Sequence, residues 1–177
     1  MRAGKYKTVR SPRPMEIAHG QCVLAAESTE VFDNIDLALE GQAALIKHLQ
    51  WTIGADAALA DANDDIYDWL GILTMDEGFS PADLNSNVDT YLNDEDTVAW
   101  FSHSMQNVIT TSGQAIIPTG KTEWQHFPEG LLVPETVRMA GVIIDGGSVQ
   151  VTLDLMVYYE RIENPTPAMK DYFYRRR

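Results

Sequence analysis

Residues 149–162 read VQVTLDLMVYYERI, and apolar and polar side chains alternate through them with a period of two. This alternation, in a segment rich in β-branched and aromatic residues, predicts a long strand with one face in the core. The face predicted to be buried carries Val149, Val151, Leu153, Leu155, Val157 and Tyr159.

The residues before this strand predict a hairpin. Residues 145–147 are Asp-Gly-Gly, which readily adopts the positive φ angles of a tight turn. Residues 137–144 (VRMAGVII) are apolar and rich in β-forming residues, so we expect them to pair with the long strand across that turn.

Seven more segments have the composition of strands, and turn-forming or polar residues separate them. The segment 97–111 is long enough for one strand or two. In residues 30–39, alternate positions from Val31 to Leu39 share one face. The segments are 15–26, 30–39, 44–53, 66–75, 97–111, 122–127 and 131–134.

Helical patterns are weak. Residues 43–51 would also fit one turn of an amphipathic helix, and residues 55–65 a short helix or an acidic loop. Residues 80–92 begin with a Ser-Pro-x-Asp helix entry, but Asn and Asp then dilute the pattern. Many short strands without alternating helices predict an all-β sandwich or barrel, with helix confined to the connections.

Charge is segregated along the chain. Residues 15–169 contain four basic and 25 acidic residues, a net charge of −21, whereas the two ends together carry +8. An acidic surface repels nucleic acid and anionic membranes, so contact with a polyanion is assigned to the ends. We divide the chain into a basic arm at 1–14, a β-sandwich domain at 15–163 and a basic, aromatic tail at 164–177.

The arm and the tail hold the candidate binding residues. Arginine and lysine neutralise phosphate without reading sequence, and the interleaved tyrosine and phenylalanine can stack on exposed bases. The same basic residues could instead dock on an acidic neighbouring subunit, or serve solubility alone. The candidates for binding nucleic acid or a subunit are Arg2, Lys5, Lys7, Arg10, Arg13, Arg175, Arg176 and Arg177.

The sequence gives no pattern of a catalytic site. Cys22, the single cysteine, is predicted to be a buried hydrophobe because it lies in an apolar run. A nucleophilic role is not expected, because His19 would face the other side of a strand. No G-x-S-x-G, P-loop or G-x-G-x-x-G motif occurs, and Asp154 points away from the apolar face of its strand, toward solvent or a subunit contact. We therefore expect no enzyme activity and no cofactor.

Metal-ligand patterns are incomplete. The four histidines have no H-x-H or H-x₃-H spacing, although His103 and His126 could meet across a sheet. Residues 83–94 match four positions of an EF-hand loop, but Val88 replaces the turn glycine and Asp94 the bidentate glutamate. We assign no metal ion and expect the acidic runs to be solvated loops.

The four tryptophans each lie in a strand-like segment, where they either fill the core or stack on sugars from an exposed sheet. No apolar run approaches the length of about 18 residues that a membrane-spanning helix needs. The N-terminal residues also lack the apolar segment of a signal peptide. We therefore expect neither a membrane span nor an export signal.

The chain resembles the single jelly-roll capsid proteins of icosahedral viruses and phages. The resemblance rests on the basic arm RAGKYKTVRSPRP at 2–14, on the series of strands with long polar connections, and on residues 137–162. That ending, VRMAGVIIDGGSVQVTLDLMVYYERI, is similar to the last two strands of many such coats. The resemblance implies an antiparallel eight-stranded jelly-roll sandwich with short helices or acidic loops in the connections.

The resemblance also implies a function. The chain would be a structural subunit of the virion that self-assembles in many copies into an icosahedral shell. Its basic termini would contact the genome, a membrane, neighbouring subunits or other capsid proteins. The arm is shorter and less basic, and the body more acidic, than in many coats of single-stranded genomes, which fits a coat that touches little genome.

Two alternatives stay open. One is a spike, decoration or surface protein with a glycan-binding β-sandwich, which exposed tryptophans and a Ca²⁺-binding acidic loop would favour. The other is an enzyme on the same scaffold, which would need histidines or carboxylates clustered in a pocket.

Overall fold

The structure is a computed structural model, and ten strands are assigned in the part of the chain that it describes. It describes residues 13–24, 30–55, 66–76, 79, 92, 95–106, 108–109, 115–116, 120–145 and 150–169. The strands are β1 (Met15–Leu24), β2 (Glu30–Asp36), β3 (Ala43–Ala55), β4 (Ile66–Thr74), β5 (Thr97–Gln106), β6 (Val108–Ile109), β7 (Ala115–Ile116), β8 (Gly120–Val133), β9 (Thr136–Asp145) and β10 (Val151–Ile162). Residues 167–169 form one helical turn.

Eight of these strands form two antiparallel four-stranded sheets. The first, here the β1 sheet, has the order β1-β10-β3-β8, and the second, the β2 sheet, has the order β2-β9-β4-β5. Strands β6 and β7 form a separate two-stranded ribbon. Successive strands cross from one sheet to the other except at β4 and β5, which is the connectivity of a jelly roll. The prediction of an all-β, antiparallel, eight-stranded jelly-roll sandwich is therefore confirmed.

The predicted hairpin is wrong, although both of its strands exist. Strand β9 pairs with β2 and β4, whereas β10 pairs with β1 and β3 in the opposite sheet. Strands β9 and β10 therefore lie in different sheets and do not form a hairpin within one sheet. Alternation of apolar side chains determines which face of a strand is buried, and it is satisfied equally well with either set of partners.

Several segment boundaries also differ from the prediction. Residues 43–51, a possible helical turn, lie within β3. Residues 122–127 and 131–133 belong to the single strand β8, which ends before Pro134. The segment 97–111, by contrast, contains two strands, β5 and β6, which is one of the two arrangements predicted for it. Leu39 does not continue the buried face of β2, because it lies beyond the end of that strand and is exposed.

The core lies between the two sheets. Val151, Leu153, Leu155, Val157 and Tyr159 of β10 are buried, as their alternation predicts. Trp51 of β3 stacks on Phe101 of β5 with ring centroids 5.9 Å apart and an interplanar angle of 12°. Since these two strands belong to opposite sheets, the aromatic stack joins the layers, and burying such large rings is a major source of stability.

A glycine turn and a side-chain hydrogen bond help to define where strands end and which edges stay unpaired. Gly41 has φ = 77° in the turn between β2 and β3, a conformation that costs glycine nothing. The backbone N–H of Gln21, on the edge strand β1, donates to Asp33 Oδ2 at 3.1 Å. A carboxylate on that N–H blocks part of an edge that another strand could otherwise extend.

Candidate assembly and binding surfaces

Both ends of the domain emerge at the same place. Met15, the first residue of β1, is paired with Glu160 near the end of β10. Directly paired residues of an antiparallel ladder lie about 5 Å apart, so the segments before β1 and after β10 leave the domain side by side. The +8 charge of the two ends, separated by more than 150 residues of sequence, is therefore attached at one end of the sandwich.

Arg13 is the one predicted binding residue within the described ranges. It is exposed and lines a groove of about 340 Å³ together with Pro14, Glu16, Arg161 and Glu163. The other seven candidates, in residues 1–12 and 175–177, lie outside the described residues.

This groove is close to neutral. The Arg161 guanidinium is paired with the Glu16 carboxylate, and the Tyr159 hydroxyl donates to the same carboxylate at 3.4 Å. Hydrogen bonding to Tyr159 and the nearby Glu16 charge raise the pKa of Arg161. Because two glutamates match the two arginines of the groove, the excess positive charge of the two ends lies in the other basic residues of the arm and the tail.

The outer faces of the two sheets differ. On the β2 sheet, Leu70, Ile72, Ala140 and Val142 are buried beneath Phe79, and Leu92 packs against them. Phe79 and Leu92, which lie between β4 and β5 in the sequence, thus cover part of this face, and the Arg138 guanidinium donates to the Phe79 carbonyl at 2.9 Å.

The outer face of the β1 sheet is open. Large apolar side chains on it are exposed, Ile17 by 61% and Trp124 by 49%. The apolar surface extends from β1 to β10, because Ile17 pairs directly with Tyr158. Met156, on the same face of β10, pairs with His19 of β1. An apolar sheet face of this kind is typical of a surface that contacts a partner.

Part of the open face is polar and tightly connected. Asp154 Oδ1 accepts hydrogen bonds from Gln21 Nε2 at 2.8 Å and from the His19 ring at 3.1 Å. Asp154 therefore faces away from the core, as predicted, but its charge is already engaged by two neighbours on β1.

Four residues on β3, β8 and β10 form a histidine–aromatic cluster on the open face: His48, His126, Trp124 and Tyr158. Nδ1 of His48 lies 2.7 Å from Nδ1 of His126. The Trp124 ring stacks beside His126, at 6.3 Å and 9°, and beside Tyr158 at 5.6 Å. His103 and His126, which could have met across a sheet, lie on strands of different sheets, β5 and β8.

A cleft of about 490 Å³ lies between the edge strands β5 and β8. Trp100 and Phe127 supply aromatic surface, and Glu123 and Gln125 supply polar groups. Gln125 also joins the two sheets, since its Nε2 donates to the Trp100 carbonyl at 2.8 Å and its Oε1 accepts from Trp51 Nε1 at 3.3 Å.

Ionisable groups near this cleft have shifted pKa values. The hydrogen bond from Lys121, at 2.9 Å, lowers the pKa of Glu123. Burial, and then the charge of Lys121, lowers the pKa of His103. This lowered pKa favours the neutral imidazole. The rings of Trp69 and Phe101 lie beside it, so its surroundings are mainly aromatic.

Cys22 is fully buried, as predicted. Burial, with a smaller contribution from the Asp33 charge, raises the pKa of its thiol to about 12. The thiol is therefore protonated at neutral pH and has little nucleophilicity.

Within the described ranges, no three side chains of histidine, cysteine, aspartate or glutamate converge to hold a metal ion. The EF-hand-like residues 83–94 lie outside those ranges apart from Leu92, and so does most of the acidic run 61–68. Among the described residues, no helix is long and apolar enough to cross a membrane.

Two of the four tryptophans lie in the core and two are exposed. Trp51 and Trp69 are buried, whereas Trp100 is 45% exposed in the cleft and Trp124 belongs to the histidine–aromatic cluster. The core-filling interpretation thus holds for Trp51 and Trp69, whereas Trp100 and Trp124 present exposed rings at the surface. The sequence could not separate the pairs, because all four lie in strands.

No protein-family model matches the chain, and no curated protein matches it either. Solved structures similar to it include a chain of Desmodium yellow mottle tymovirus, with 10% identity over 94% of this chain and 98% of that chain and a TM-score of 0.34. They also include the BFDV capsid protein in its 60-mer form, with 12% identity over 88% and 98% and a TM-score of 0.32. FLHE is similar to the same degree, with 8% identity over 85% and 99% and a TM-score of 0.38. The jelly-roll assignment accordingly rests on the strand order of the chain itself.

Proposed function

We propose that the chain is the structural subunit of a capsid, assembling in many copies into an icosahedral shell of a virus or phage. The observation that carries the proposal is the jelly-roll strand order combined with basic segments attached at one end of an acidic domain. A domain of this shape can be arranged with one end toward the inside of a shell and the other outside. Fold alone hosts many functions, so the charge arrangement is an essential part of the argument.

The attachment points determine what the termini do in this proposal. The pairing of Met15 with Glu160 gives the arm and the tail a common origin, so their nine basic residues act on the same target. Segments of four or five charges bind a polyanion weakly, but two joined at one point bind more tightly. Repetition over a shell then lines one surface with positive charge. The target is the genome or the acidic surface of the next subunit.

The open face of the β1 sheet has a role in the same proposal. Its exposed Ile17, Met156 and Trp124 provide apolar area for contact with another copy or with a second capsid protein. Phe79 and Leu92 already cover part of the outer face of the β2 sheet, so the two sheets would have different roles in a shell.

The test is electron microscopy of the purified chain at low and high salt, with absorbance at 260 and 280 nm on the same fractions. We expect closed shells or capsomer rings. A variant with glutamine at Arg2, Lys5, Lys7, Arg10 and Arg13 keeps the length of the arm and removes its charge. A variant with the arm residues in shuffled order keeps both the length and the charge of the arm.

The two variants separate charge from sequence. If the arm binds nucleic acid, the glutamine variant loses the excess absorbance at 260 nm, and the shuffled variant keeps it. If the arm contacts a neighbouring subunit, the glutamine variant assembles poorly while the domain stays folded. A chain that remains monomeric at every salt and protein concentration overturns the proposal.

A glycan-binding role is the second candidate, and the cleft between β5 and β8 favours it. Its volume of about 490 Å³ suits a small ligand. The exposed face of Trp100 offers a stacking surface, and the Glu123 carboxylate is a hydrogen-bond acceptor beside it.

A glycan array followed by titration of a binding sugar tests this candidate. Trp100→Ala should abolish binding, whereas Trp124→Ala, which removes an equally exposed ring outside the cleft, should leave it unchanged. Absence of binding to the array, or equal loss in both variants, contradicts a sugar site in the cleft.

A further inference from the structure

We propose that His48 and His126 form a two-nitrogen binding site for a divalent transition-metal ion such as Zn²⁺. They are direct cross-strand partners in the ladder between β3 and β8, and their Nδ1 atoms lie 2.7 Å apart. Imidazole nitrogen is a preferred ligand of zinc, copper and nickel. The spacing of these histidines in sequence, 78 residues, gives no sign of the pair.

The backbone is irregular at the point where the pair lies. On one side of it the ladder continues regularly, but on the other side the next pair joins Ile46 to Leu131. Four residues of β8, 127–130, therefore lie opposite Lys47 alone, and Lys47 is also an extra residue of β3 relative to β10. Bulges redirect side chains and are frequent beside functional sites.

The irregularity is itself held in place. Gly130 has φ = 83°, in the left-handed region that favours glycine, and its Cα lies against the Leu45 side chain. The Lys47 ammonium donates to the Glu129 carbonyl at 3.5 Å. Together these contacts fix the course of both strands next to the two histidines.

Aromatic neighbours limit rotation of the imidazoles. The Trp124 ring lies nearly parallel to the His126 ring, at 9°, and the Tyr158 ring meets His48 edge-on with centroids 6.4 Å apart. The Tyr158 hydroxyl donates to Gln50 Oε1 at 3.3 Å, which holds that ring in turn. The two Nδ1 atoms therefore stay directed at each other.

The metal-free pair is held by a hydrogen bond in which one Nδ1–H donates to the other Nδ1. When the ion binds, the donating imidazole carries its proton on Nε2 instead, so both Nδ1 lone pairs face the ion and both rings remain neutral. Zn–N bonds of about 2.0–2.1 Å in tetrahedral geometry need the nitrogens about 3.4 Å apart. The pair must open by about 0.7 Å, which small side-chain rotations supply.

Access and charge favour a cation at this site. The His126 side chain is exposed and that of His48 half-buried, so an ion reaches the pair from solvent. The net charge of −21 on residues 15–169 raises the local concentration of cations. Because the described residues supply no third ligand, water completes the coordination.

The experiment is calorimetric titration of the untagged, chelator-stripped full chain with Zn²⁺ at about pH 7.5, where unperturbed histidine is mainly neutral. We expect one ion per chain. His48→Gln and His126→Gln should each weaken binding by roughly tenfold or more, since losing even an outer partner of a ligand costs that much. His19→Gln is the matched control, as another exposed histidine on the open face.

Imidazole nitrogen NMR gives a second, independent readout. Zn²⁺ should shift Nδ1 of both His48 and His126 and leave His19 and His103 unchanged. A ratio of one ion to two chains would still support the site, because His48 and His126 of a second copy would then supply the other two ligands. Unchanged affinity in a folded His126→Gln variant, or equal loss in His19→Gln, overturns the proposal.

Discussion

Gly71 of β4 forms part of the surface on which Trp51 packs, and adding one methyl group there should destabilise the domain. A Cβ atom at this position would lie 2.8 Å from Trp51 Cζ3 and 2.8 Å from Leu153 Cδ2. Non-bonded carbon atoms prefer about 3.5–4.0 Å. Gly71 is paired with Gly141 of β9, so two adjacent glycines provide the flat surface that the indole occupies.

The indole has little freedom to move away. Trp51 is fully buried, its Nε1 donates to Gln125 at 3.3 Å, and its ring is stacked on Phe101. Overpacking of a core typically costs about 1–3 kcal/mol, and replacing glycine by alanine recovers about 0.4–1 kcal/mol through the unfolded chain. We expect Gly71→Ala to lower the free energy of unfolding by about 1–2 kcal/mol. The midpoint temperature of thermal unfolding should fall by roughly 2–4 °C for each kcal/mol of lost stability in a domain of this size.

Urea and thermal unfolding followed by tryptophan fluorescence measure the change. Trp51→Leu removes the ring atoms that the new methyl group would touch, so Gly71→Ala should cost less in that background, with a coupling of about 0.5–3 kcal/mol. Full stability of Gly71→Ala, or additive effects in the double variant, would refute this account of the core.

Three further outcomes are expected. Gln125→Leu leaves the buried Trp51 Nε1–H without its acceptor, so the free energy of unfolding should fall by about 1–3 kcal/mol in urea titrations. Cys22, with its pKa raised to about 12, should react with a thiol reagent in native buffer only as fast as the domain opens; rapid labelling of folded protein would contradict its burial. Burial and the charge of Lys121 lower the pKa of His103 in the folded state. As the pH falls through about 6.5, the imidazole is therefore protonated in the unfolded chain before it is protonated in the folded one. The free energy of unfolding should then decline until the pH reaches the lower pKa of the folded state. His103→Gln should show a smaller decline in midpoint temperature between pH 7 and 5, and an identical decline would contradict the shift.

The sequence predicted the strands well because apolar alternation is a local property. It placed β10 and its buried face correctly, and it assigned Cys22 to the core. The pairing of strands was not predictable in the same way. Residues 137–144 were expected beside β10, but the pattern of each strand fits a partner in either sheet. Only the complete packing of two layers decides between them.

The surfaces were less predictable because they depend on strand register. His48 and His126 are 78 residues apart and meet only because of the ladder between β3 and β8 and the bulges beside it. The exposure of Trp124 likewise depends on which face of β8 is turned outward. The charge of the ends was visible in the sequence, but their common origin required the pairing of Met15 with Glu160.

That pairing has a practical consequence for engineering. Since residues 15 and 160 are neighbours, a short linker could join the two ends of the sandwich, and new ends could be opened between β3 and β4. The permuted domain would keep the same sheets while presenting its arm and tail at a different position. Any protein fused to either natural end of the sandwich would, by the same geometry, lie at the same end of the domain.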